Sequence, residues 1–231
     1  MISTYCDTSS LKEIRECIHK FNVKGITTNP SLMRQNKVNN YKAHCKKILK
    51  ISKNLPVSFE VFGDNEVEIY RQAKIISSWG KNVYVKIPII NTKKKFMTNI
   101  IRKLHLQGIK INVTAIFTYN QIRKMKKIIK PHTDIILSIF AGRIADNGVD
   151  PEKIIKKSVI LFKKRKNVKI LWASCRENFN FYQAQRSGCK IITMPLKFIK
   201  KLNEKKITLE KYSLKTVQQF FQDGKKSRFK I

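Results

Sequence analysis

Val83-Tyr84-Val85-Lys86-Ile87-Pro88 is a short apolar run, rich in β-branched residues, that carries one lysine and stops at a proline. Such a run reads as a strand. A strand inside a packed domain has little reason to hold an ammonium, because burying an unpaired charge is expensive. An amine in low-dielectric surroundings loses part of its affinity for a proton. The neutral amine is what attack on a ketone requires. The structural alternative is that Lys86 snorkels out at the strand end. The segments on either side decide between the two.

Seven similar runs flank this one. Residues 2–7 alternate, with Ser3, Tyr5 and Asp7 on one face. A second strand covers 26–29 between Gly25 and Pro30, a third 57–62 after Pro56, and the lysine strand 82–88 is the fourth. The fifth covers 110–117, the sixth 134–140, the seventh 168–174, and the eighth 190–194, stopped by Pro195. Helical patterns lie between them at 10–21, 40–53, 65–79, 92–106, 119–130, 151–165 and 177–187, with a further helical start at Ser31. Ser9 or Ser10 caps the first, Asp64 the one at 65–79, Thr118 the one at 119–130, and Pro151 opens the one after it. The remainder, 196–231, reads as helical with no strand. Eight strand–helix units at a spacing of roughly 25–30 residues imply parallel pairing through right-handed crossovers, closing as one (β/α)8 TIM barrel, class α/β. The competitor, an open doubly wound sheet, lacks its Gly-rich phosphate turn here. The expectation is a single domain over 1–231, with 196–231 as a helical extension of it.

Composition is consistent with this. At 231 residues and 42% hydrophobic content the chain can fill such a core. No apolar run reaches membrane-spanning length, and the first residues lack the regions of a signal peptide. Five cysteines, an odd number without a CxxC pair, suit a reducing cytoplasm better than a disulfide frame or a zinc site. The net charge of +34 invites a nucleic-acid reading. It is discounted because only 10 of the 49 basic residues are arginine, the side chain that reads bases and grips phosphate bidentately. The lysines also spread over nearly every predicted helix rather than gathering on one face. Attraction for phosphorylated substrates follows either way.

In this fold the site forms at the C-terminal strand ends. In chain order these offer Asp7, Asn29, Glu60, Lys86, Asn112 with Thr114, Ser138 and Ser174. Each alone fits a satisfied polar strand end. Their convergence around one lysine points to covalent chemistry. A neutral Lys86 attacks a ketose carbonyl, loses water and forms an iminium. That iminium takes up the electrons released when the neighbouring carbon–carbon bond breaks. One carboxylate takes the hydroxyl proton at that bond, and a second acid/base serves carbinolamine formation and dehydration. Asp7 and Glu60 are available for these tasks. None of the four histidines, His19, His44, His105 and His132, falls at a strand end, and no cofactor motif is present. The expectation is therefore no metal and no cofactor. Arg143 and Arg176, each directly after a strand, suit a phosphate, with a loop salt bridge to Asp146 or Glu177 as the alternative.

These residues lie in segments that resemble the transaldolase family, in its short-chain branch that includes fructose-6-phosphate aldolase. The matching segments are Asp7-Thr8, GITTNPSL at 25–32, VKIP at 85–88, GIKINVT at 108–114, Gly142-Arg143-Ile144 and Ala173-Ser174-Cys175-Arg176. The resemblance implies that Lys86 is the Schiff-base lysine, that Asp7 is the acid/base at the cleaved bond, and that Glu60 and Thr114 hold a catalytic water. It places Asn29, Asn112, Ser138 and Phe140 at the substrate, and Arg143, Ser174 and Arg176 at its phosphate. It implies transfer of a dihydroxyacetone unit from sedoheptulose 7-phosphate or fructose 6-phosphate to an aldose phosphate, in the pentose phosphate pathway. Aldolases of the family carry Gln at the position of Glu60 and Tyr at that of Phe140, so both residues favour transaldolase over the aldolase alternative. Departures from the family pattern are Ile139, Ala141, the glycine-free loop at 91–95 and the tail at 207–231. The branch also implies a homo-oligomer, ring-type in some members. Val217, Phe220 and Phe221 are then available for a neighbouring subunit or for this barrel's own end. The more distant alternatives are a basic nucleic-acid-binding barrel and an inactive one.

Overall fold

The structure, a computed structural model, describes residues 2–131 and 133–227. The expectations for His132 and for a helical 228–231 lie outside these residues. The chain runs as β1 (Ser3–Asp7), α1 (Leu11–Phe21), β2 (Ile26–Thr27), α2 (Pro30–Gln35), α3 (Tyr41–Ser52), β3 (Val57–Glu60), α4 (Glu66–Ser77), β4 (Val83–Pro88), α5 (Thr98–Leu106), β5 (Ile111–Ile116) and α6 (Tyr119–Ile128). It continues as β6 (Ile135–Ile139), α7 (Ala141–Asp146), α8 (Pro151–Leu161), β7 (Val168–Trp172), α9 (Phe179–Arg186), β8 (Ile191–Met194), α10 (Leu196–Asn203) and α11 (Leu209–Ser227). The eight strands form a closed parallel barrel in chain order, β1 pairing with β8. This is the TIM-barrel fold.

Local chemistry sets the helix starts. Ser10, Asn29, Asn40, Asn65, Thr118 and Asp150 each accept a backbone N–H of the first turn that follows them. Thr118 and Gln121 complete a reciprocal capping box. Two expectations need correction at one place. Asn65, not Asp64, caps α4. Asp64 instead accepts from the backbone N–H and the hydroxyl of Thr92, pinning the loop after β4. That loop is not the start of a helix at 92. The Asn91 side chain accepts from the N–H groups of Lys93 and Lys95, so the backbone turns locally and α5 begins only at Thr98. The short α7 was not foreseen, being too brief for a periodic signal. The C-terminal helical stretch divides into α10 and α11.

Two apolar clusters hold the barrel. The larger lies between the strands' outer faces and the surrounding helices. The smaller, Tyr5, Tyr84, Ile136, Leu171, Ala173 and Ile191, fills the barrel interior. Tyr5 explains Gly25, because a Cβ there would meet the Tyr5 ring at 2.5 Å. The interior is thus plugged below, and the next inward positions along the strands face the C-terminal mouth. No residue of α11 is buried, so this helix does not cover the barrel end.

Candidate active site

One turn of side chains above the aromatic plug, the barrel opens into a cavity of about 560 Å³. All eleven positions singled out from the sequence line it: Asp7, Asn29, Glu60, Lys86, Asn112, Thr114, Ser138, Phe140, Arg143, Ser174 and Arg176. Strand register brings them together. Glu60 pairs with Lys86, and Lys86 with Asn112, on neighbouring strands.

Lys86 is 5% exposed. Its Nζ donates to the Thr28 carbonyl at 2.8 Å and lies 3.1 Å from Glu60 Oε2. A buried ion pair of this kind is weak evidence for stability, since desolvation offsets the attraction. Its position in a polar cavity fits a reactive group better than a structural one. Glu60 is itself fixed by Tyr41 on α3. The Tyr41 hydroxyl donates to the Glu60 carbonyl at 3.0 Å and accepts from the Glu60 N–H at 3.1 Å. Burial pushes the Tyr41 phenol far above its ordinary range, so it stays a neutral donor.

Asp7 stands on the other side of the lysine. Burial raises the affinity of its carboxyl for a proton, against the opposing charge of Lys86 and a hydrogen bond from Thr27. That bond, Thr27 Oγ1 to Asp7 Oδ1, is 2.7 Å long. With its one proton directed to Asp7, the Thr27 hydroxyl accepts from Thr193. Two carboxyls in unlike surroundings, one paired with the lysine and one with a raised pKa, suit separate acid and base tasks.

Beyond the lysine, Ser138 donates to Asn112 Oδ1 at 2.6 Å, and Asn112 Nδ2 donates to Ser58 Oγ at 3.0 Å. This chain fixes the Asn112 amide. The Thr114 hydroxyl is buried with no partner among the described residues. An orphaned hydroxyl in a cavity is a ready partner for a bound molecule. Asn29, which also lines the cavity, caps α2 by accepting the Leu32 N–H at Oδ1.

The two arginines lie apart from the lysine, around α7. A Cβ on Gly142 would come 1.6 Å from the Ser174 carbonyl oxygen. Only glycine lets α7 press against the loop after β7, where Ser174 adopts φ 64°. Arg143 is thereby set beside Ser174 and Arg176, its guanidinium 5.4 Å from the Phe140 ring. Arg176 takes the loop salt bridge, Nε to both Asp146 oxygens at 3.0 and 2.9 Å, with Nη2 also on Asp146. Its Nη1 donates to none of the described residues.

Sequence reasoning did not single out Thr27, Thr193 or Tyr41. Thr27 shares a strand face with Asn29, and Thr193 pairs in register with Tyr5, so alternation alone would have found both. Tyr41 reads as an apolar helix position and carries no local signal for its contact with Glu60.

Comparison with known proteins bears on the family and the fold of the chain. The profile of the transaldolase/fructose-6-phosphate aldolase family matches residues 4–231. The chain is 29% identical over 205 residues to a "Probable transaldolase" of Dehalococcoides mccartyi, covering 88% of this chain and 91% of that protein. It is 30% identical over 228 residues to a "Probable transaldolase" of Thermoanaerobacter sp., covering 98% and 99%. Among solved structures, KGPDC from Streptococcus mutans superposes with TM-score 0.54 at 10% identity, over 84% of this chain and 88% of that one, a likeness of fold alone. The full-length profile match and these relatives establish that this chain belongs to the transaldolase/fructose-6-phosphate aldolase family.

Proposed function

We propose that the protein is a cytoplasmic class I transaldolase that moves a dihydroxyacetone unit between sugar phosphates. The observation that carries this reading is the buried Lys86 amine, 3.1 Å from Glu60, in a cavity shared with Asp7. Glu60 takes the proton from Lys86, whose lone pair then adds to C2 of a ketose phosphate. Loss of water from the carbinolamine gives the iminium. Asp7 accepts the proton of the C4 hydroxyl as the C3–C4 bond breaks, and the bonding pair moves into the iminium to leave an enamine. The released aldehyde departs. An acceptor aldose phosphate enters, its carbonyl carbon bonds to the enamine, and Asp7 returns the proton to the new hydroxyl. Water then hydrolyses the iminium and frees Lys86.

In this scheme Asn29, Asn112 and Ser138 hold substrate hydroxyls, and Thr114 with Glu60 holds the water. Arg143, Ser174 and the free Nη1 of Arg176 form the phosphate end, with sedoheptulose 7-phosphate and fructose 6-phosphate as the donors of the pentose phosphate pathway. Phe140 closes the side of the cavity without a phenol, which slows protonation of the enamine by water and favours transfer over release. The exposed apolar side chains of α11 suit packing against further copies of the chain.

Borohydride reduction in the presence of fructose 6-phosphate, followed by intact-mass analysis and peptide mapping, tests the chemistry. The expected product is one adduct on Lys86, absent from Lys86→Met. No adduct, or one on another lysine, defeats the mechanism. Turnover of fructose 6-phosphate that is undiminished without an acceptor aldehyde makes the enzyme an aldolase instead.

A further inference from the structure

A second cavity, of about 690 Å³, opens at the opposite, N-terminal end of the barrel, between β1, β7, β8 and the loop that follows α8. Five cationic side chains line it: Lys163, Arg165, Lys166, Lys169 and Lys190. No carboxylate does, among the described residues. Arg165 is anchored by a bond from Nη1 to the Ile129 carbonyl, and Lys169 lies 3.4 Å from Asp134. Lys163, Lys166 and Lys190 have no acidic partner among the described residues. The inner wall is apolar, with Val159, Phe162 and Ile170. Tyr5 closes the cavity towards the barrel axis. It is 5% exposed, and its hydroxyl makes no hydrogen bond to the described residues. Asp134 is the acidic group that acts on it.

Solvated lysines are common on this chain, and on an open surface they need no partner. Here Lys163 and Lys166 from the loop after α8, and Lys190 from just before β8, line one concavity without a carboxylate among its lining, and they repel one another. The Tyr5 hydroxyl, with no hydrogen-bond partner among the described residues, is open to the cavity at its base and is free to donate to an anion. One anion with several charges, placed between the cations, answers both features. The apolar side of the cavity beside Val159 leaves room for an organic portion, and the volume is that of a small-ligand pocket. We propose that this cavity binds a nucleoside di- or triphosphate, with its phosphates on Lys163, Lys166 and Lys190 and its nucleoside on the apolar side beside Val159. The plug of Tyr5, Tyr84, Ile136 and Leu171 separates this cavity from the one around Lys86, so the two sites fill independently.

Titration calorimetry of the full chain at fixed ionic strength, with ATP, inorganic tripolyphosphate and adenosine as separate probes, tests this. ATP is expected to bind at one site per chain and more tightly than tripolyphosphate, with no heat from adenosine. Lys163→Gln/Lys166→Gln/Lys190→Gln is expected to weaken ATP binding about tenfold or more. Tyr5→Phe, which removes only the hydroxyl, is expected to weaken it about threefold. Lys12→Gln/Lys47→Gln/Lys74→Gln removes the same charge from exposed sites elsewhere and is expected to leave binding within about twofold. Lys86→Met is expected to bind ATP like the parent chain. Equal weakening by the two triple variants, loss of binding in Lys86→Met, equal affinity for ATP and tripolyphosphate, or no saturable binding overturns the proposal. Folding of each variant is checked by its thermal transition, and Tyr5→Phe supplies the answer if a triple variant fails to fold.

Discussion

At the scale of single residues the site is built from groups whose partners set their protonation. Asp7 makes this measurable. Burial raises its folded-state pKa above the unfolded value, so the folded state holds a proton that the unfolded state has lost. Between those two values stability falls as pH rises, and above both the difference is constant. Glu152 behaves in the opposite way. Its pKa is lowered to about 2, chiefly by Arg186, so its contribution is present above the unfolded value and is lost as pH falls towards 2. Asp7→Asn removes only the first effect. Thermal melts from pH 4 upward should therefore show the variant gaining stability relative to the parent as pH rises, then levelling off. A gap that is constant or reversed would remove Asp7 as the proton carrier. Tyr41 gives a second case. Tyr41→Phe leaves the N–H and carbonyl of Glu60 without their shared partner. A loss of about 1–3 kcal/mol follows from one such orphaned group. Because Glu60 also loses its fixed position, kcat should fall while KM changes little. A stability loss with unchanged kcat would make Tyr41 merely structural. The sequence announced Asp7, Glu60 and Lys86 because each lies at or near the C-terminal end of a strand, where alternation fixes the direction of the side chain. It did not announce Tyr41, since the contact joins positions 19 apart through the fold.

At the scale of elements, strands were legible and loops less so. A period of two, stopped by Pro30, Pro88 or Pro195, marks a buried parallel strand well. The extra residues expected at the ends of β2, β3, β6 and β7 leave the ladder to form caps and turns, as Asn29 does at α2. The loop at 91–97 shows the same competition, where the Asn91 side chain supplies a turn that helical periodicity cannot foresee. Element α11 raises a different question. Its apolar residues Tyr212, Leu214, Val217, Phe220 and Phe221 are 57–67% exposed. Such a stripe on one helix is larger than scattered surface apolars and favours burial against another chain. Val217→Ser/Phe220→Ser/Phe221→Ser should convert the assembly to monomers in light scattering with the barrel's thermal transition retained. A parent chain that is already monomeric at micromolar concentration, or a variant of unchanged mass, would leave the helix without that role.

At the scale of the molecule, 49 basic against 15 acidic residues give a net charge of +34 that the fold does not neutralise. Eight ion pairs join the described residues, and in seven of them the basic side chain is exposed, so most cations have no carboxylate partner. Exposed pairs contribute little, about 0–1 kcal/mol each, while like-charge repulsion acts across the whole surface and is relieved on unfolding. Screening weakens both, and the repulsion is the larger sum. The screening length shrinks from about 30 Å at 0.01 M salt to about 8 Å at 0.15 M, which spans the distances between neighbouring lysines. The melting temperature should therefore rise by several degrees over that range of sodium chloride. The KM for a sugar phosphate should rise with it, because the same field draws anions towards the mouth where Arg143 and Arg176 stand. Thermal melts and initial rates over one salt series read both effects. A melting temperature that falls with salt would mean that the ion pairs, not the excess of lysine, govern the electrostatics of this barrel.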